Sequence, residues 1–267
     1  MEGEARLLTK VSGSYGLAVL RGILTETFGE QKVPATSQQS EWLAKLPEDT
    51  IFRSEDVPGP TRGAVHGFLH RENAKPETRR RAVRIAANLY WKPGKPNSLT
   101  GTHITPDVER VGWALAGPHA GALGWYGANL VGWSTQIAVA VAFAVPGEPR
   151  LRHPYPGVEL RGRRNQRRRD LTNLEATYIE AVIGFDRWAE FEWWHTDRWQ
   201  TALDSTRINL RHRAADGRPL PRPDVMRCVA EHERPPQGRR LFRERVENLL
   251  DVFQSFVSDT APAAAVT

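Results

Sequence analysis

Apolar side chains recur with helical spacing through much of this chain, broken by short β-type runs and by Pro/Gly punctuation. In residues 5–30, Leu7, Leu8 and Val11 form one group. Leu17, Leu20, Leu24 and Phe28 then fit a single helical stripe. A polar connection around Pro34 follows, in which Thr36 or Ser37 is placed to cap the next helix. Residues 38–46 read as a short amphipathic helix with Trp42, Leu43 and Leu46 on its apolar side, ended by Pro47. Ile51 and Phe52 suggest a short strand, and residues 54–57 a brief further element. After the turn Pro58-Gly59-Pro60, a helix starting at Pro60 or Thr61 buries Ala64, Val65, Phe68 and Leu69. Residues 79–84 and 85–91 read as two strands of a hairpin, with Tyr90 and Trp91 closing it ahead of Pro93-Gly94.

The pattern changes after Lys95-Pro96-Asn97-Ser98, which marks a boundary. Residues 106–115 predict a helix with Val108, Val111 and Leu115 along one side and Trp113 off it. A Gly/Ala-rich stretch, 117–130, precedes a β-type run at 137–145 that Pro146-Gly147 ends. Residues 148–153 read as its partner strand and 157–161 as a further strand. Thr172 and Glu175 have capping-box spacing at the start of a helix reaching Phe185, with Leu174, Tyr178, Ile179 and Val182 on one face. Residues 186–203 hold Trp188, Trp193, Trp194 and Trp199 in a second helical segment, a density of aromatics that means core or a protein-binding face. Residues 213–239, rich in Pro, Arg and Gly, read as surface loop. Residues 241–257 are a helix with Phe242, Val246, Leu249, Leu250, Phe253 and Val257 in register, and the tail from Asp259 reads as frayed.

Charge sharpens this picture. The 267 residues carry a net +6. Residues 61–95 hold nine Lys/Arg against Glu72 and Glu77, a local +7, so the rest of the chain nets −1. Concentrated positive charge points to an anionic partner, because each neutralised phosphate releases counterions. Cys228 is the single cysteine, which excludes a disulfide framework or a thiolate zinc cluster and suggests a buried thiol in a reducing compartment. No signal-peptide h-region opens the chain, and the longest apolar run, at 137–146, is too short to cross a bilayer. A cytoplasmic protein with no membrane association is expected.

The basic stretch carries the candidate chemistry. The face of the 60–73 helix opposite its apolar stripe shows Arg62, His66, Arg71 and Asn73, side chains that reach phosphates or base edges. Arg79, Arg80, Arg81, Arg84 and Lys92 on the hairpin would add phosphate contacts. Strand, helices and basic hairpin together have the layout of a winged helix-turn-helix. A second arginine run includes Arg163, Arg164, Arg167, Arg168 and Arg169; it reads as another phosphate or partner contact, or as a solvated loop. His66 and His70 have the i, i+4 spacing of zinc ligands but no third ligand nearby, so no metal is expected. Gly13-Ser14 resembles the opening of a nucleotidyltransferase site, yet no aspartate pair follows it. Asp186, Glu190, Glu192 and Asp197 suggest a metal-dependent nuclease, against which stands the absence of any lysine after Lys95.

Two segments are similar to the AbiEi-like antitoxins of type IV toxin–antitoxin systems. The first is LPEDTIFRSEDVPG, GAVHGFLHREN and RIAANLYWKPGK in succession. The second, more specific, is GWYGANLVGWSTQIAVAVAFAVPGEPRLR, in which Asn129, Gly132, Ser134, Thr135 and Gln136 match the family pattern while Val131 and Trp133 stand where leucines are usual. The resemblance covers about residues 40–185, and the Trp-rich C-terminal third matches nothing in that family. It implies a non-enzymatic, cofactor-free autorepressor that binds double-stranded DNA at its own promoter and opposes a nucleotidyltransferase-like toxin. The expected organisation is α+β: a helical extension at 1–37, a winged helix-turn-helix at 38–96, a mixed α/β antitoxin-like domain at 99–257 and a flexible tail at 258–267. The matched motif residues are expected to be structural. A stand-alone winged-helix regulator with a sensing C-terminal domain, or a metal-dependent nucleic-acid enzyme, are the alternative readings.

Overall fold

A computed structural model describes residues 35–191, 197–236 and 238–260. The expected N-terminal helix, Gly13-Ser14, Glu192, Trp193, Trp194 and the last residues of the tail lie outside that set. The described chain is α+β, with helices predominating over two small sheets. It divides into two compact units, one formed by Met1–Pro47 and Ser54–Arg81, the other by Glu48–Arg53 and Ala82–Thr267.

In the first unit, α1 (Ala35–Lys45) and α2 (Arg62–Asn73) flank a 3-10 turn at Ser54–Asp56. Thr61 starts α2 by accepting the Ala64 amide proton at 3.1 Å, which satisfies one of the orphan donors of the first turn. Val65, Phe68 and Leu69 form its buried stripe, as their spacing implies, and Glu72 is buried with them. Ala64 is only half-buried. Gly59 is required by packing: a Cβ there would lie 2.7 Å from both Gln39 Nε2 and Val65 Cγ2.

Residues 79–82 do not form a strand. Glu77–Arg79 is a 3-10 turn, Arg80 Nε donates to the Lys75 carbonyl at 2.7 Å, and Arg81 returns to Glu72 on α2. That return holds the segment against the helix and leaves the hairpin to begin later.

The second unit contains both sheets. β1 (Thr50–Arg53), β2 (Val83–Ala86) and β3 (Leu89–Lys92) pair antiparallel in the order β1-β3-β2. The hairpin turns at Ala87-Asn88, where Asn88 takes a positive φ of 59°, a conformation asparagine tolerates better than most residues. Asp49 accepts the Trp91 indole proton at 2.9 Å and pairs with Arg110 at 2.7 Å. Arg53 donates to the Ala114 carbonyl, so the first residues of this unit are tied to α3 (Val108–Ala116).

β4 (Gly121–Leu123), β5 (Val141–Pro146) and β6 (Val158–Arg163) make the second sheet, β4 antiparallel and β6 parallel to the central β5. The partner of β5 is therefore β6, not residues 148–153, which cross between the two strands without joining the sheet. β5 also begins at Val141, leaving Ile137 and Val139 outside it and fully exposed. α3 packs closely on this sheet, since a Cβ on Gly112 would come within 2.5 Å of the Phe143 ring. Trp113 is on the packed side, contrary to its periodicity: its ring lies 4.7 Å from Phe143 and its Nε1 donates to Tyr126 Oη at 2.8 Å.

α4 (Gly124–Leu130) follows β4, and α5 (Asn173–Ile183) covers the β4 edge, where the Ala122 amide donates to Thr177 Oγ1 at 3.0 Å. Thr172 and Glu175 form the expected capping box. α5 packs with α7 (Arg198–Ala215), α8 (Pro223–Ala230) and α9 (Arg239–Thr260) around one core that includes Tyr178, Ile179, Leu210, Met226 and Phe253. The short α6 (Phe185–Trp188) precedes the Trp-rich segment, which is thus not one helix. α8 falls within residues expected to be loop: Pro223 at its first position and the apolar pair Met226 and Val229 start and anchor it. Cys228 is exposed rather than buried, because on α8 it faces away from Met226 and Val229; Arg167 Nη1 donates to its sulfur at 2.7 Å.

Candidate functional site

The outward face of α2 is low in the middle and cationic at its margins. Gly63 is exposed and Gly67 half-buried, and the Arg71 guanidinium arches back over Gly67, where an added Cβ would lie 3.5 Å from Nη1. On the other margin Arg62 Nε donates to His66 Nε2 at 3.3 Å, which fixes that nitrogen as an acceptor. Arg79 is exposed just beyond the helix and Arg80 is half-buried. Among the described residues, Arg62, Arg71 and Arg79 make no ion pair.

Arg81 differs from its neighbours. Its Nε and Nη2 form a two-pronged pair with Glu72, at 3.1 and 2.7 Å, and its Nη1 donates to Ser40 at 3.0 Å on α1. Lys75 joins the same carboxylate at 2.7 Å. Burial alone would raise the Glu72 pKa, but the hydrogen bonds and charges of Arg81 and Lys75 outweigh it and hold the carboxyl below its ordinary range. The second unit carries Arg84, exposed on β2, and Lys92, half-buried on β3.

The second arginine run is split by burial. Arg164, Arg167 and Arg169 are exposed. Arg168 is 1% exposed and pairs with Glu180 and with Glu233, both at 2.6 Å. Arg163 forms a two-pronged pair with Glu180 at 2.7 and 2.6 Å. Asn165 Nδ2 adds a 2.8 Å bond to Glu233. Arg163 and Arg168 are thus internal to the unit, joining β6 and its following turn to α5 and the end of α8.

The Asn129–Gln136 motif builds the exit from α4. The Asn129 carbonyl accepts from Gly132 at 2.9 Å and its side-chain amide donates to the Gln136 carbonyl at 3.3 Å. Ser134, buried, accepts the Gln136 amide proton at 3.1 Å. Gly132 has φ +77° and sits against Asn209, whose side chain donates to the Val131 carbonyl at 2.7 Å. Trp133 is fully buried and donates to Thr206 at 3.1 Å. Thr135 and Gln136 are exposed.

Gln136 also lines a cleft of about 890 Å³ in this unit. The segment 137–142 forms one apolar wall, and Trp125 and Trp188 meet edge-to-face at 5.2 Å in another. The Arg187 guanidinium lies 4.4 Å over the Trp188 ring. Of the carboxylates in the lining, Glu159 is held down to about 2 by its hydrogen bonds to Arg161 and Arg152, which exceed the opposing effect of burial. This cleft was not legible from the sequence: the Arg187-Trp188 pair was visible only as part of an aromatic-rich stretch.

Two of the carboxylates that suggested a nuclease have other partners, and Glu192 lies outside the described residues. Asp186 is clamped by Arg245 at 2.7 and 2.9 Å, and Asp197 caps α7 by accepting from the Gln200 amide at 2.9 Å. Among the described residues no three His, Cys, Asp or Glu side chains are grouped to hold a metal ion, and no helix is long and apolar enough to cross a membrane. Comparison with known families and with curated proteins finds no match for this chain.

Proposed function

We propose that this protein is a DNA-binding autorepressor of its own operon and the antitoxin of a type IV toxin–antitoxin pair, opposing a nucleotidyltransferase-like toxin. The observation that carries the DNA-binding half is the set Arg62, Arg71 and Arg79, cations at the margins of an α2 face that has only Gly63 and Gly67 at its centre. Such a face allows close approach to a duplex: none of the three makes an ion pair among the described residues, and Arg62, whose Nε is given to His66, still has its terminal N–H groups for phosphate. The element order helix, strand, helix and hairpin, with strands paired β1-β3-β2, supports a winged-helix reading. The antitoxin half rests on the similarity of the Asn129–Gln136 segment to that family.

A mobility-shift titration on the upstream promoter tests the first half. The wild type binds at low salt; Arg62→Gln and Arg79→Gln each weaken binding on every duplex and reduce the slope of log K against log salt by about 0.9. Unchanged affinity and slope in both variants would remove this face from the interface. Co-expression with the adjacent toxin-like reading frame tests the second half: growth is restored by this protein if it is the antitoxin, and failure to restore it leaves a stand-alone regulator.

A further inference from the structure

Four carboxylates line the cleft of the second unit, and each is already engaged: Glu159 by Arg152 and Arg161, Glu180 by Arg163 and Arg168, Asp186 by Arg245, and Glu233 by Arg168. Arg187 and Arg234, also in the lining and both exposed, make no ion pair among the described residues. Among the described residues the cleft therefore presents two uncommitted positive charges. Stacking on Trp188 restrains the Arg187 guanidinium while leaving its in-plane N–H groups unused, the arrangement that suits two-pronged recognition of an oxyanion. Beside it the half-buried Trp125 offers a flat indole, and the 137–142 wall is apolar. The volume of about 890 Å³ is within the range of small-molecule sites.

We infer that this cleft binds a nucleotide, with the base against Trp125 and the phosphate on Arg187 and Arg234. A phosphate monoester carries close to two negative charges, matching two guanidiniums, whereas a single carboxylate would leave one uncompensated. An aromatic platform beside a phosphate-binding arginine is also how bases are held without readout of their identity. The same chemistry is offered by a free mononucleotide and by the end of a single strand. The inference stands apart from duplex binding, since neither tryptophan nor either arginine belongs to α2 or the hairpin.

Calorimetric titration of the full chain with AMP, GMP, CMP and UMP, and with a single-stranded DNA pentamer, tests it and separates the two sources. Saturable binding of a mononucleotide is expected, with adenosine and inorganic phosphate each far weaker. Arg187→Gln and Arg234→Gln should each weaken it about tenfold. Both residues are exposed, so these variants should melt as the wild type does; Trp125→Leu should weaken binding as well. If only the pentamer binds, and does so in a way the two arginine variants diminish, the source is a strand end. No saturable binding of any of these, or binding unaltered in the Arg187→Gln/Arg234→Gln double variant, overturns the inference.

Discussion

Burying a guanidinium is costly unless charge and hydrogen bonds are returned to it inside the protein; Arg168 has its Nη1 and Nε paired with carboxylates, while its buried Nη2 has no hydrogen-bond partner. Glu180 and Glu233 bracket it, while Arg163 bonds both oxygens of Glu180 and shares Oε1 with Arg168. Burial would raise the pKa of Glu180, but the charge of Arg168 and the hydrogen bonds and charge of Arg163 prevail and depress it below 4.5. A carboxyl depressed by folding stabilises the folded state fully above its unfolded pKa, and that contribution drains away as pH falls below about 4.5 through the folded value. Glu180→Gln should therefore cost about 3–5 kcal/mol near neutral pH, because Arg168 loses a buried partner. The difference in melting temperature between wild type and variant should narrow steadily on acidification below pH 4.5. A gap that stays constant down that range would show that Glu180 is not the titrating partner. None of this was legible in the run at 161–169, which reads as a phosphate or partner contact or as a solvated loop. The burial of Arg163 and Arg168 depends on Glu180 and Glu233, carboxylates far along the chain. The Thr172–Glu175 capping box was legible, because both halves lie within one turn.

At the scale of elements, local signals located helices well and strand partners poorly. Pro146-Gly147 after a β-type run suggests a hairpin, but Gly147 instead bridges to Arg163 and the chain crosses over to place β6 parallel to β5. A parallel partner is chosen by packing against α3 and by the ion pairs of Arg163, neither of which leaves a periodic trace. α8 was hidden for a related reason: eight residues between Pro- and Arg-rich flanks are too few for a convincing period. The exit from α4 was legible as a motif without its cause being so. Gly132 combines a φ of +77° with an Asn209 amide 2.5 Å from where a Cβ would stand. Gly132→Ala meets both obstacles, backbone strain and displacement of the Asn209–Val131 bond, and should destabilise by about 2–3 kcal/mol. Chemical denaturation measures this directly. Asn209→Ala made first removes the clash but not the strain, so the two losses should be less than additive; strict additivity would mean the contact contributes nothing.

For the whole molecule, the local +7 at 61–95 accounts for the net charge but overstates what is available to a polyanion. Arg81 and Lys75 are turned inward to Glu72, and Arg80 is spent in part on a backbone carbonyl. On the proposed reading, the cations of the first unit that would meet phosphate are Arg62, Arg71, Arg79 and Arg80. Four phosphate contacts correspond to a log–log salt slope of about −3.6 for each chain bound. Arg81 and Arg71 then make a discriminating pair. Arg71→Gln removes a surface cation: the slope should flatten by about 0.9 while the melting temperature stays within a degree or two. Arg81→Gln leaves Glu72 buried with Lys75 alone, so the first unit should lose about 2–3 kcal/mol of stability, and at temperatures where it remains folded the slope should be unchanged. The opposite pairing of effects, slope moving with Arg81 and stability with Arg71, would mean that Arg81 exchanges Glu72 for phosphate on binding. The return of the chain onto α2 would then be a feature of the unbound protein alone, and the hairpin strand could begin where its sequence first suggested, at Arg79.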